Sequence, residues 1–245
     1  MSAEATWRRL AAQADQAPAP LAAALAVTAG AATPVAGIAA LLGRLLPPLW
    51  LEAGPLAAAT LTEADAAAVL SDLEAITARN FEPSGLLGTW VGHRGFQMLA
   101  SHRLAHRLWT GGQPALAMAV RSAAGYLGCD IHPAARIGCG IFLDHGLGLV
   151  VGETAVIEDD VSLWHGVTLG STLMQAGADR HPKIRRGAVL GAGATLLGNI
   201  EVGAFAVVAA GSVVLADVPP RTTVAGHPAR PKPRHRHPYG LGETP

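Results

Sequence analysis

The chain has 245 residues, 18 basic against 18 acidic side chains, and a 50% share of hydrophobic residues. That length supports a full core, and a formal charge of zero with no basic stripe argues against a nucleic-acid partner. Two cysteines, Cys129 and Cys139, make no disulfide framework and suit a reducing, cytoplasmic compartment.

The first part of the chain reads as helical, with alanine and leucine at helical spacing over 3–14, 21–29, 34–46, 63–79, 92–109 and 115–126. Thr62 followed by Glu63 and Asp65 marks a helix start. Pro47-Pro48 and Gly111-Gly112 mark turns. Residues 17–43 carry no charge, long enough to cross a bilayer. Alanine drives insertion weakly, however, and Gly30, Pro34 and Gly37 interrupt the run. Arg8-Arg9 is followed by Gln13, Asp15 and Pro18 where an export signal needs apolar residues. The expectation is therefore no membrane partner. Helices this rich in alanine approach one another closely and suggest packing against other copies.

From Cys129 onward a six-residue beat takes over: Ile131, Ile137, Leu143, Leu149, Ala155, Val161 and Val167, then Ile184, Leu190, Leu196, Val202, Val208 and Val214. A period of six fits neither an amphipathic helix nor an alternating strand; it fits a parallel β-helix. Three segments to a turn would place positions eighteen apart above one another, with Leu143 under Val161. Gly138, Gly152, Gly191 and Gly203 fall beside the beat, where corners are tight. The gap from Val167 to Ile184 is no multiple of six, so about 170–182 must leave the coil as a loop, carrying Asp179-Arg180-His181. The fold class is thus α+β. An all-helical domain (1–128) precedes a β-helix with one extruded loop (129–218). Pro219-Pro220 ends the coil, and the tail (219–245) includes a His/Arg-rich stretch read as a solvated terminus.

Four histidines, His132, His145, His165 and His181, lie in the coil region. His145 follows Asp144, a charged pair the core does not need. A histidine oriented by a carboxylate accepts a proton and carries the resulting imidazolium. Asp130 is a candidate orienter, or equally a cap on the first coil. Cys139 offers a thiol nucleophile, but occupies an ordinary corner.

Asp130-Ile-His-Pro-Ala-Ala, Leu143-Asp-His145, Val151-Gly-Glu-Thr-Ala-Val-Ile, Gly166-Val-Thr-Leu-Gly170 and Asp179-Arg-His-Pro-Lys-Ile, in that order, closely resemble serine O-acetyltransferase, a branch of the hexapeptide-repeat acyltransferases. Gly95-Phe96 and Leu108-Trp109 extend the likeness into the helical part. The resemblance implies a left-handed β-helix and transfer of acetyl from acetyl-CoA, as co-substrate, to L-serine, the first step of cysteine synthesis. It implies His145 as general base, Asp130 as its orienter, Asp144 on the substrate ammonium, Arg180 on its carboxylate and His181 completing the pocket. Coenzyme A would lie between neighbouring subunits along Gly170-Ser171, Gly191-Ala192 and Ala210-Gly211; small residues there also suit tight corners. The assembly implied is a trimer or a dimer of trimers, and no metal is called for.

Three departures from the family pattern matter. Where the family places an aspartate after the arginine matching Arg79, this chain has Asn80, with Glu82 two residues on as a possible substitute on the substrate ammonium. The family's Gly-Gly-Thr-Gly becomes Gly170-Ser171-Thr172-Leu173, which reshapes a pocket wall. The family's tail often ends in isoleucine that docks into the sulfhydrylase; this chain ends Glu243-Thr244-Pro245, so no such complex through the tail is expected. The first two changes leave open another acceptor, such as homoserine or another hydroxylated amino acid. A zinc lyase on the same coil lacks short ligand spacings, and a non-enzymatic scaffold would leave the Asp-His and Asp-Arg-His elements idle.

Overall fold

The structure, a computed structural model, describes residues 2–172, 179–233 and 237–242. The chain divides into two units, Met1–Leu127 and Gly128–Pro245.

The first unit holds helices α1 (Ala3–Asp15), α2 (Ala19–Ala26), α3 (Pro34–Leu45), α4 (Ala53–Thr60), α5 (Glu63–Arg79), α6 (Gly85–Gly92), α7 (Arg94–Thr110) and α8 (Pro114–Ala124). The uncharged run 17–43 is split: α2 ends, and α3 starts afresh at Pro34, its Thr33 hydroxyl accepting the Ala36 N–H at 3.2 Å. No helix among the described residues is long and apolar enough to cross a membrane. At the head of α5, Thr62 and Asp65 cap reciprocally: Asp65 N–H donates to the Thr62 hydroxyl, and Thr62 N–H donates to Asp65 Oδ2. The sequence reading missed α4 and α6. Each spans two turns and contains glycine, so neither shows a helical stripe of useful length. Helix α7 is nearly surrounded, with Phe96, Met98, Leu99 and Leu104 buried. Its Arg103 pairs with the fully buried Asp72 of α5 at 2.8 Å, since a buried guanidinium needs a carboxylate.

The second unit is built from very short strands: β1 (Asp130–Ile131), β2 (Arg136–Ile137), β3 (Phe142–Leu143), β4 (Val150–Val151), β5 (Val156–Ile157), β6 (Ser162–Leu163), β7 (Thr168–Gly170), β8 (Lys183–Ile184), β9 (Val189–Leu190), β10 (Thr195–Leu197), β11 (Glu201–Val202), β12 (Val207–Val208), β13 (Val213–Val214), β14 (Thr223–Ala225) and β15 (Arg230–Lys232). Every third strand joins the same sheet, giving three faces: β1-β4-β7-β10-β13, then β2-β5-β8-β11, then β3-β6-β9-β12-β14-β15. All neighbours are parallel except β14 and β15, so the unit is a parallel β-helix. Ile131, Val151, Leu169, Leu196 and Val214 point inward from the first sheet, and Ala135, Ala155, Ala188, Ala194 and Ala206 fill the corners.

The register corrects the sequence reading at the first complete coil. Leu143 pairs with Leu163, not Val161: twenty residues separate them, against eighteen between Leu190 and Val208. An even beat therefore does not run through Asp144-His145. From Leu149 to Val167 the counted beat follows the corner positions, while Val151, Ile157, Leu163 and Leu169 take the strand positions. Both positions are apolar and buried, which is why counting did not reveal the shift. The second irregularity is where it was expected. Thr168 pairs with Thr195, twenty-seven residues on, so the coil expels residues between β7 and β8; 173–178, Leu173 included, lie outside the described residues.

The glycines flagged beside the beat are explained by crowding. A Cβ on Gly138 would strike Asp159, one on Gly191 the Ala210 backbone, and one on Gly203 Pro220. The coil also outlasts Pro219-Pro220: β14 joins β12, and β15 folds back on β14. Val218 N–H donates to Glu201 O, while Val213 N–H donates to Gly226 O and Ala229 N–H to Val213 O. Each of the three sheets is thereby covered at its last rung.

The three faces differ. The outward row of the second sheet is Arg136, Val156, Lys183 and Glu201, with Arg185 bridging Glu158 and Glu201 and Arg186 paired to Asp160. The third sheet is covered by 237–242: Tyr239 stacks on Trp164 and meets Phe142 edge-on, and His237 Nε2 donates to Gly187 O at 2.8 Å. The first sheet presents Asp130, Val150, Thr168, Thr195 and Val213.

Candidate active site

The two extra residues of the first coil are His145 and Gly146 themselves. Gly166 N–H donates to Leu147 O as Gly193 N–H does to His165 O, and Gly211 N–H to Ala192 O. Leu147, His165, Ala192 and Ala210 thus form one column at the corner between the third and first sheets, and His145-Gly146 is an outward bulge below it. Gly146 N–H donates back to Asp144 O at 2.6 Å, closing a three-residue turn around His145. His145 adopts φ +55, a left-handed conformation that costs energy for a side chain with a Cβ and that Asp160, Phe205 and Arg221 also adopt in this unit.

The bulge throws the imidazole outward: its side chain is 68% exposed, whereas Asp144 is 14% exposed with Oδ2 3.5 Å from His145 Nε2. His165 meets His145 edge-to-face at 5.7 Å between ring centroids. Asp130 points outward from the first sheet, with Val150 as its rung partner. The candidate cofactor residues Ala192, Ala210 and Gly211 climb the same corner. A Cβ on Gly211 would meet no atom within 4 Å, while the His227 ring is hydrogen-bonded to Gly211 O. Gly191 is different, since the next coil alone accounts for it.

Arg180 and His181 occupy the opposite edge of the first sheet, where the expelled loop rejoins the coil. They lie over the corner Gly152-Glu153-Thr154, between β4 and β5. Thr154 N–H and hydroxyl reach His181 Nδ1 at 3.2 and 2.8 Å, and the same hydroxyl accepts the N–H of Arg180 and of His181. The Arg180 guanidinium donates to Glu153 Oε2 at 2.7 Å. Lys183 staples the turn, donating to Thr154 O, His181 O and Asp179 Oδ1. Burial, then the Arg180 and Lys183 charges, hold the His181 imidazole below its ordinary value. The Lys183 hydrogen bond holds Asp179 below the usual carboxylate range. Gly170 and Ser171 sit where the loop departs, Gly170 O accepting the Gly198 N–H.

Within one chain, then, two clusters flank the first sheet and are not brought together: Asp130, Asp144 and His145 at one edge, Arg180 and His181 at the other. Asn80 and Glu82 belong to the helical unit. Asn80 caps the C-terminus of α5, and Glu82 accepts the Ser84 N–H. Neither Thr154 nor Glu153 was singled out from sequence; each reads there as an ordinary corner residue. Burial pushes the Cys129 thiol up to about 12, removing its thiolate at neutral pH. Cys139 is tied at its N–H to Asp159 in a plain corner. Among the described residues, no group of three or more His, Cys, Asp or Glu is placed to share a metal ion.

The soybean serine acetyltransferase apoenzyme is 41% identical, with a TM-score of 0.85 over 93% of this chain and 97% of that one. This chain belongs to the serine acetyltransferase family. The β-helix is the left-handed kind of that family. A Brucella abortus serine acetyltransferase in complex with coenzyme A is 40% identical, with a TM-score of 0.84 over 93% of this chain and 95% of that one. Serine acetyltransferase 2 of Arabidopsis thaliana is 58% identical over 138 residues, 56% of this chain and 42% of that protein. The chain spans about half the length of the curated relatives it matches. No protein-family model matches it.

Proposed function

We propose that this serine acetyltransferase homologue transfers the acetyl group of acetyl-CoA to the hydroxyl of L-serine, giving O-acetyl-L-serine for cysteine synthesis. The observation that carries this reading is His145, lifted out of the coil on a two-residue bulge at positive φ with Asp144 beside it. As general base, His145 takes the proton of the serine hydroxyl as the oxygen attacks the thioester carbonyl. The tetrahedral adduct collapses with loss of the CoA thiolate, which the His145 imidazolium protonates. Asp130 orients His145, Asp144 holds the substrate ammonium, and Arg180 with His181 holds its carboxylate, two donors facing one anion. Coenzyme A runs along the corner of Ala192, Ala210 and Gly211 towards Gly170-Ser171, with Gly191 beside it.

One copy separates the base from the carboxylate-binding pair by the width of a sheet. The reading therefore places the base edge of one copy against the Arg180-His181 edge of the next, in a trimer or a dimer of trimers; the uncharged row Val150, Thr168, Thr195 and Val213 supports this. Asn80 favours a second acceptor reading: an amide offers the substrate ammonium less than a carboxylate would, so homoserine or another hydroxylated amino acid competes with serine. No sulfhydrylase complex through the tail is proposed, although 243–245 lie outside the described residues. A thiol-release assay with acetyl-CoA and a panel of hydroxylated amino acids tests the reading. Serine is expected to give the highest kcat/KM, and release of CoA with no preference for it would overturn serine as acceptor.

A further inference from the structure

The coil region carries four histidines, and the hydrogen bonds around one of them fix what it can do. Thr154 surrounds one side of the His181 ring. The Thr154 hydroxyl accepts the backbone N–H of Arg180 at 3.0 Å and of His181 at 3.1 Å. With its lone pairs so occupied, its own proton is directed to His181 Nδ1, 2.8 Å away. The Thr154 backbone N–H points at the same nitrogen from 3.2 Å. An Nδ1 that faces two donors must present its lone pair, so the network places the ring proton on Nε2. The ring is 7% exposed and lies against Gly152, where any Cβ would collide with it. Lys183, bonded to the carbonyls of both Thr154 and His181, keeps the two residues in step.

We propose that Thr154 is a positioning residue that locks His181 as its Nε2–H tautomer, making His181 a fixed hydrogen-bond donor to the acceptor's carboxylate and never a base. The role of that carboxylate rests on the serine acetyltransferase reading; the tautomer does not. Beside it, Arg180 already engages one carboxylate, that of Glu153. A substrate carboxylate arriving at this edge would meet the His181 Nε2–H and an Arg180 guanidinium that it shares with Glu153. The proton-accepting role is left to His145, whose ring stands mostly in the open. Two histidines of one fold are thus separated into donor and base by what touches Nδ1.

Magic-angle-spinning NMR of the full chain with 15N-labelled histidine, with His181→Gln for assignment, reads the tautomer directly. The wild-type protein near neutral pH is expected to show His181 protonated at Nε2 and bare at Nδ1. Thr154→Val removes the hydroxyl: the Nε2–H state should no longer be the sole form, and the acceptor KM should rise about 5–20-fold, as for one or two hydrogen bonds, with kcat little changed. Thr154→Ser should restore both. A wild-type ring protonated at Nδ1 overturns the proposal, as does a Thr154→Val enzyme with the parental tautomer and KM. Should Thr154→Val fail to fold, the wild-type and Thr154→Ser spectra still decide. If the expected tautomers are found but no hydroxylated amino acid is acetylated, the locking role stands and the acetyltransferase reading falls.

Discussion

Two edges of the same three-sided coil treat histidine in opposite ways. At one edge the chain adds two residues, accepts a left-handed φ and pushes His145 into the open with one carboxylate near it. At the other it buries His181 against a glycine and gives its Nδ1 two donors. A base must exchange protons with its substrate and so needs an open lone pair; a binding group gains from having its proton fixed beforehand. On the proposed reading, the scaffold provides both from one repeat, by insertion at one corner and by saturation at the other.

Breaking the open edge should have the largest effect. His145→Gly is expected to lower kcat by about 10²–10⁴-fold. Because glycine adopts the turn without strain, it should also raise unfolding free energy by about 1 kcal/mol. Steady-state kinetics and denaturant melts on the same preparations check both. A variant that is inactive and clearly less stable would contradict the strained-turn account. At the saturated edge, Gly152→Ala drives a methyl into the His181 ring and should cost about 1–3 kcal/mol of stability through overpacking. The acceptor KM should rise more than kcat falls.

A pH experiment sharpens the same contrast. His181, facing Arg180, Lys183, Glu153 and His132, is held below its ordinary value of 6.5. As pH falls, the unfolded chain takes up this proton before the folded one. The contribution to stability is intact above 6.5 and declines as pH drops through the folded value. Melting temperatures between about pH 7.5 and 5.5 should therefore fall more steeply for the parent than for His181→Gln; equal slopes would argue against it. The smallest expected effect is at Asn80. Restoring the family's carboxylate with Asn80→Asp should lower the serine KM by about 3-fold through a charge-assisted bond, read in the acceptor panel.

Much of this was legible in the sequence. Helices α1, α3, α5 and α7 announce themselves by length, α5 also by its cap, and the expelled loop by a gap that breaks the count. Asp144-His145 and Arg180-His181 stand out because charge on a hydrophobic scaffold needs a reason. What stayed hidden has physical causes. Helices α4 and α6 are too short to show a face. The bulge at His145-Gly146 was invisible because the corner and strand positions of the repeat are both aliphatic, so a two-residue slip lands on another apolar residue. Thr154 and Glu153 act only through residues brought over them by the loop, about 27 positions later.

The upper end of the coil carries a last consequence. A stack of parallel rungs is in principle unlimited, since each finished rung offers its N–H and C=O groups to the next, and a second molecule can extend it as readily as the same chain. Here the chain turns back on its own last rungs. The final paired strand runs the other way, with proline at its centre and Arg230 and Lys232 to either side, all three exposed. That short reversal leaves the third sheet ending on an antiparallel, charged strand rather than on a parallel rung. Removing it, from about residue 226 onward, should be felt first as self-association and only later as lost catalysis.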